Sequence, residues 1–127
     1  MTPKIVIIGS TGKLGSKLLK YVSRNQIQIY ALTCYSNKKK LLSQKNKFNV
    51  KKTFTLSNIN ENKLFFKLLE KKIDLIYFLD FGSYSLTYLN HFLNYNHNSS
   101  VAIANKEMII AGGKLLFKKI KLINILF

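Results

Sequence analysis

The chain has 127 residues, 47% of them apolar and 13% aromatic; that length and composition point to one globular domain with a single packed core. Its 21 basic and 5 acidic residues give a formal charge of +16, which ordinarily signals a nucleic acid or an anionic membrane surface as partner. Twenty of the 21 are Lys, only Arg24 carries the forked guanidinium that specific phosphate and base recognition favours, and the joint abundance of Lys, Asn and Ile fits an AT-rich coding sequence. We therefore expect neither nucleic acid nor membrane as partner.

Lys4 to Ile8 (KIVII) is a continuous β-branched run bounded by Gly9, the pattern of a strand buried on both faces of a parallel sheet. It follows the initiator without the charged-then-apolar leader and small-residue cleavage site of a secretory signal, and no stretch has the 18 or so uncharged apolar residues of a membrane span. A cytoplasmic location is expected. After the turn, Leu14, Leu18, Leu19 and Val22 recur at helical spacing, and Ile27 to Thr33 (IQIYALT) reads as a second strand. Together they make a strand, glycine turn, helix, strand unit of the expected length.

Between them, Gly9, Gly12 and Gly15 form G-x-x-G-x-x-G. Such a turn lets the backbone approach a phosphate pair closely, while the helix beginning near Lys13 aims free N–H groups and its positive dipole end at the anion. The alternative is a glycine-rich turn that binds nothing. A P-loop is excluded, because G-x-x-x-x-G-K-[ST] counted from Gly9 would need Gly and Lys where Leu14 and Gly15 stand. Which dinucleotide fits is decided at the end of the second strand, where an NAD enzyme sets an acid against the ribose 2′-hydroxyl roughly 20 residues past the turn. Here Cys34 to Leu41 reads CYSNKKKL, with no acid. Ser36, Asn37 and Lys38 to Lys40 would welcome a 2′-phosphate by hydrogen bonding and charge, so NADPH is expected over NADH. The competing reading makes the lysines a solvated helix face.

Asn37 to Lys47 is expected as a short, mostly solvated helix, and Val50 to Leu56 as a weak strand followed by a polar turn at Asn58 to Asn62. Glu61 to Lys72 is a helix with Leu64, Phe65, Leu68 and Leu69 on its packed face. Asp74 to Leu79 (DLIYFL) is a buried strand, and Gly82 to Ser85 a small-residue turn. Leu86 to Tyr95 follows as a helix presenting Leu86, Leu89, Phe92 and Leu93. Asn94 to Ser100 is a polar loop, Val101 to Ala104 a strand, and Lys106 to Lys119 a helix containing Gly112 and Gly113; Lys121 to Phe127 (KLINILF) is a final strand that stops on an apolar end. Cys34 has no disulfide partner, and His91, His97 and five scattered acids have no metal-ligand spacing. The alternation of strands and helices predicts an α/β fold, a three-layer Rossmann-like parallel sheet with helices on both faces.

A second candidate site is Asn105-Lys106-Glu107, which directly follows a strand and opens a helix. Carboxyl ends of parallel strands are where such sheets bind ligands; the alternative is helix capping, with Asn105 as N-cap and Glu107 against the dipole.

The runs KIVIIGSTGKLG, ALTCYSNKKKLL and VAIANKEMIIAGG together resemble the amino-terminal, NADPH-binding domain of the 1-deoxy-D-xylulose 5-phosphate reductoisomerase family. These oxidoreductases perform the first committed step of the methylerythritol phosphate route to isoprenoids. The resemblance implies that Thr11, Gly12, Lys13 and Leu14 wrap the pyrophosphate, with Lys13 where the family usually has Ser, and that Gly9 and Ser10 belong with them to the cofactor-binding residues. It implies that Tyr35, Ser36 and Asn37 take the adenosine end, with Ser36 and Asn37 toward the 2′-phosphate. Asn105 and Glu107 would line the nicotinamide side, and Lys106 would meet the substrate. The sequence departs from the family at Tyr35 and Ser36, where Gly and then Arg or Lys are common, a loss of cation that Lys38 or Lys39 would have to make good. Ser85 and Tyr88 stand where a glycine and a proline are usual.

The family's divalent metal (Mg or Mn) sits on an Asp-Ser-Glu segment that would follow Phe127. Residues 1–127 are thus expected to be one NADPH-binding domain, a fragment without the family's catalytic and carboxy-terminal domains and without catalytic or metal-ligating residues. Alone, such a domain would bind NADPH without turning over 1-deoxy-D-xylulose 5-phosphate; the family's homodimer uses parts this chain lacks. The alternative is a non-catalytic NAD(P)-binding sensor or interaction module.

Overall fold

A computed structural model describes residues 3–119 and 123–125. Six strands, β1 (Ile5–Ile8), β2 (Ala31–Cys34), β3 (Lys52–Thr55), β4 (Leu75–Phe78), β5 (Ser100–Ile103) and β6 (Ile123–Ile125), form one sheet in the order β3-β2-β1-β4-β5-β6. Every pairing is parallel; Val6 sits opposite Ala31 on one side and Ile76 on the other. The chain winds outward from β1 to β3 and then returns to its other side at β4, the doubly wound Rossmann-like order with a topological switch between β1 and β4. Of the expected last strand, Lys121, Leu122, Leu126 and Phe127 lie outside the described residues.

The helices α1 (Lys13–Arg24), α2 (Lys38–Lys47), α3 (Ile59–Leu68), α4 (Leu86–Tyr95) and α5 (Lys106–Lys119) cover both faces. Alternate side chains of β1 feed two cores. Ile5 and Ile7 join Leu19 and Val22 of α1 and Leu41 of α2, while Val6 and Ile8 join Phe65 of α3, Leu89 and Phe92 of α4 and Met108 of α5. Two-sided burial is the reason β1 carries an unbroken β-branched run instead of an alternating one.

Several boundaries moved from those the sequence predicts. The second strand begins at Ala31, not Ile27, because α1 ends in a turn in which Gln26 takes φ 56°. Helix α3 starts at Ile59, inside the expected polar turn, since the Asn58 side chain accepts from the Glu61 amide and caps it. On that helix Phe65 and Leu68 are buried but Leu64 is exposed. The Gly82 to Ser85 turn is a short 3-10 helix, Ser83–Ser85, entered through Gly82 at φ 86°.

Candidate functional site

The three glycines do different work. Gly9 adopts φ 87°, and a Cβ on it would lie 2.7 Å from the amide nitrogen of Asp80, so the turn closes directly against the end of β4. A Cβ on Gly15 would lie 2.4 Å from the Gly9 carbonyl oxygen, so the second turn of the motif lets α1 seat on the strand that precedes it. At Gly12, the N-cap of α1, such an atom would meet only the Gly9 oxygen, at an ordinary contact distance of 3.8 Å.

The turn is fastened from β2. The amides of Gly9 and Ser10 both donate to the Thr33 carbonyl oxygen, at 3.1 and 3.0 Å. The Ser10 hydroxyl, fully buried, donates to Gln44 Oε1 at 2.8 Å, and Gln44 Nε2 returns a bond to the Ser10 carbonyl. Ser10 therefore shapes the turn from beneath. The amides of Thr11, Gly12, Lys13 and Leu14 meet no acceptor among the described residues, and no side chain caps α1. Four unpaired N–H groups at a helix start, with the dipole behind them, form a ready anion site.

The first two of these residues, Thr11 and Gly12, line a cavity of about 810 Å³ at the carboxyl ends of β1 to β4, within the range of cofactor pockets. Gly9, Thr11 and Gly12 form one wall; Thr33, Cys34 and Tyr35 continue it from β2; Leu56, Ser57 and Asn62 follow from the β3 side. The far wall comes from beyond β4: Leu79, Asp80, Phe81, Tyr84, Ser85 and Tyr88. Of the residues proposed from sequence, Gly9, Thr11, Gly12 and Tyr35 line this space. Lys13, Leu14, Ser36 and Asn37 are exposed and outside its lining, the first two on α1 and the others between β2 and α2. The Asn37 oxygen accepts from the Lys40 amide at 3.2 Å, capping α2, and Lys38 Nζ sits 3.9 Å from Glu61 Oε2.

Asn105 is buried, and its capping role is realised: its oxygen accepts from the Met108 amide at 3.1 Å. Its Nδ2 donates to the Gly82 carbonyl at 2.8 Å and to Asp80 Oδ1 at 3.4 Å. It ties the start of α5 to the loop after β4, outside the cavity lining. Lys106 and Glu107 are exposed beside it.

Sequence reasoning missed the far wall. Asp80 accepts a hydrogen bond from Ser85 Oγ as well as the Asn105 bond. Burial pushes its carboxyl above the usual value of 3.8; the Ser85 and Asn105 hydrogen bonds pull against this, and Glu107 adds a smaller upward push. Burial likewise raises the Cys34 thiol, and Tyr88 is pushed up to about 12, chiefly by burial. The one available signal was position, since Asp80 immediately follows a buried strand at the ligand-binding end of the sheet.

A family profile described as 1-deoxy-D-xylulose 5-phosphate reductoisomerase matches residues 5–87. The enzyme of that name from Pelagibacter ubique is 34% identical over 139 aligned positions, which take in 93% of this chain and 35% of the relative. That from Wigglesworthia glossinidia brevipalpis is 26% identical, over 93% of this chain and 35% of its own length. The chain thus spans about a third of the length of the curated relatives it matches. Among solved structures, the Zymomonas mobilis reductoisomerase in complex with NADPH superposes with a TM-score of 0.80 at 20% identity, over 98% of this chain and 38% of that one. CurA from Vibrio vulnificus, also in complex with NADPH, gives 0.65 at 12% identity, over 99% of this chain and 40% of its own. These likenesses carry the fold.

Proposed function

Because the chain belongs to the 1-deoxy-D-xylulose 5-phosphate reductoisomerase family, we propose that residues 1–127 act as its NADPH-binding domain, contributing the cofactor site of an oxidoreductase of isoprenoid biosynthesis. The observation that carries this reading is the run of unpaired amides from Thr11 to Leu14, whose first two residues line the cavity at the β1/β4 switch. The site fits the group: Gly12 leaves room for close approach, and the first helix offers donors in place of a side-chain cap.

In this reading Thr11, Gly12, Lys13 and Leu14 hold the diphosphate with their amides, Gly9 and Ser10 shape the turn, and the Lys13 ammonium adds positive charge beside it. Tyr35 flanks the adenosine, while Ser36 and Asn37, with Lys38 or Lys39, face the 2′-phosphate. Asn105 is a positioning residue that fixes the loop after β4, and Lys106 and Glu107 extend the site toward nicotinamide and substrate. NADPH, when bound, supplies a hydride. The residues do not fit a divalent metal: among those described, no three His, Cys, Asp or Glu side chains come together. No metal-assisted step is therefore assigned to them.

Turnover of 1-deoxy-D-xylulose 5-phosphate, with its magnesium or manganese, and the family's homodimer belong in this proposal to a whole enzyme about three times as long. A cytoplasmic location accords with it; among the described residues no helix is long and apolar enough to cross a membrane. The test is a titration into NADPH followed by nicotinamide fluorescence: saturable binding, weaker for NADH, supports the reading, and equal or tighter binding of NADH counts against it.

A further inference from the structure

Tyr88 is only 2% exposed, yet it is one of the residues that line the cavity. Its position is fixed twice over. Phe65, Phe66 and Tyr84 hold the ring, with centroids 5.5, 5.0 and 5.6 Å away. Asn62 Nδ2 donates to the phenolic oxygen at 2.7 Å and also to the Leu56 carbonyl at 3.0 Å, which leaves the amide no freedom to turn.

With Asn62 occupying one lone pair, the Tyr88 oxygen keeps its own proton to give away, and that O–H meets no acceptor among the described residues. A buried hydroxyl without an acceptor loses hydrogen-bond energy it would have in water, and a ligand atom that accepts from it recovers that loss. The surroundings define what that ligand atom belongs to. Tyr35, Leu56, Tyr84 and Tyr88 give this end of the cavity flat apolar walls, suited to an aromatic ring. It adjoins the end of β2, the strand that meets the adenosine ribose in dinucleotide folds, so the ring that arrives here is the base.

We propose that the Tyr88 hydroxyl, set by Asn62, reads the base of the bound dinucleotide by donating to N1 of adenine, and so determines which base the site accepts. This rests on the cofactor reading above. Adenine carries only acceptor nitrogens on its six-membered ring. Hypoxanthine, its deaminated counterpart, has an N–H on that edge and an oxo group in place of the amino group.

The test compares binding of NADPH and of its hypoxanthine analogue by the unsubstituted chain and by Tyr88→Phe, which keeps the ring and removes the hydroxyl. The unsubstituted chain should prefer the adenine form about tenfold, and Y88F should bind NADPH about tenfold more weakly with that preference reduced toward parity. A purely structural Tyr88 would weaken both ligands alike. Equal affinity of the unsubstituted chain for the two analogues overturns the proposal whether or not Y88F folds, as does an unchanged preference in Y88F. Failure of the unsubstituted chain to bind either dinucleotide overturns the cofactor reading and this inference together.

Discussion

A methyl group on Gly15 would sit 2.4 Å from the carbonyl oxygen of Gly9 and 2.6 Å from Ser10 Cα. Both obstacles are backbone, and the turn they belong to is pinned by Thr33, so neither can step aside cheaply. Gly15→Ala should destabilise the fold by about 1–3 kcal/mol, the range for overpacking, seen as a lower urea midpoint with unchanged m-value.

Gly12 is the opposite case, because a Cβ there makes only an ordinary contact, 3.8 Å from the Gly9 oxygen, and its φ of −74° suits any residue. Gly12→Val should change stability by less than about 1 kcal/mol, consistent with an N-cap already lacking a side-chain bond. NADPH affinity should nonetheless fall at least about tenfold, since the branched side chain enters the space through which a diphosphate reaches the amides. Paired urea melts and fluorescence titrations separate the two effects.

Burial raises the Asp80 carboxyl above 3.8, so the folded state favours its neutral form. Its contribution to stability is fully present below that ordinary value and is lost as pH rises through the raised one. Asp80→Asn, which keeps the shape and an oxygen that can accept from Ser85, should melt higher than the unsubstituted chain near neutral pH. The difference should vanish below about pH 3.8, the value to which the ordinary carboxylate titrates. Because Asp80 also lies against the Gly9 turn, the same substitution should tighten NADPH binding about three- to tenfold at neutral pH by removing a negative charge near the diphosphate.

In the proposed cofactor reading, selectivity for the 2′-phosphate would draw on the exposed Lys38 and Lys39. Lys38 is shared with Glu61, whose other oxygen accepts from the Thr55 amide. Replacing Lys38 and Lys39 together by Gln should lower affinity for NADPH about three- to tenfold, in keeping with the modest strength of solvent-screened ion pairs, and leave NADH affinity unchanged. Glu61→Gln should act the other way, releasing Lys38. Competition binding at two salt concentrations reads both.

The turn, the doubly wound sheet and the α1 start were legible because each follows from local spacing: a β-branched run, glycines three apart, then leucines at helical intervals. The far wall was not. Asn62 and Tyr88 lie 26 residues apart, and nothing near either one in the chain announces that they meet. The resemblance counts Ser10 among the cofactor-binding residues, yet Gln44, 34 residues on, claims its side chain. For Asn105 the sequence offered capping or ligand contact, and the bond to the Met108 amide realises the first while Nδ2 reaches the loop after β4. Leu64 was grouped with Phe65, Leu68 and Leu69, yet those three are buried and Leu64 is exposed, lying one helical step, about 100°, from Phe65 at the edge of the stripe.

The account turns on the unpaired amides at the start of α1. A crystal structure of the chain with NADPH measures this directly: diphosphate oxygens should lie within hydrogen-bond reach of the Thr11 to Leu14 amides, with the base between Tyr35 and Tyr88. A diphosphate bound elsewhere, or a turn left empty at saturating NADPH, would contradict it.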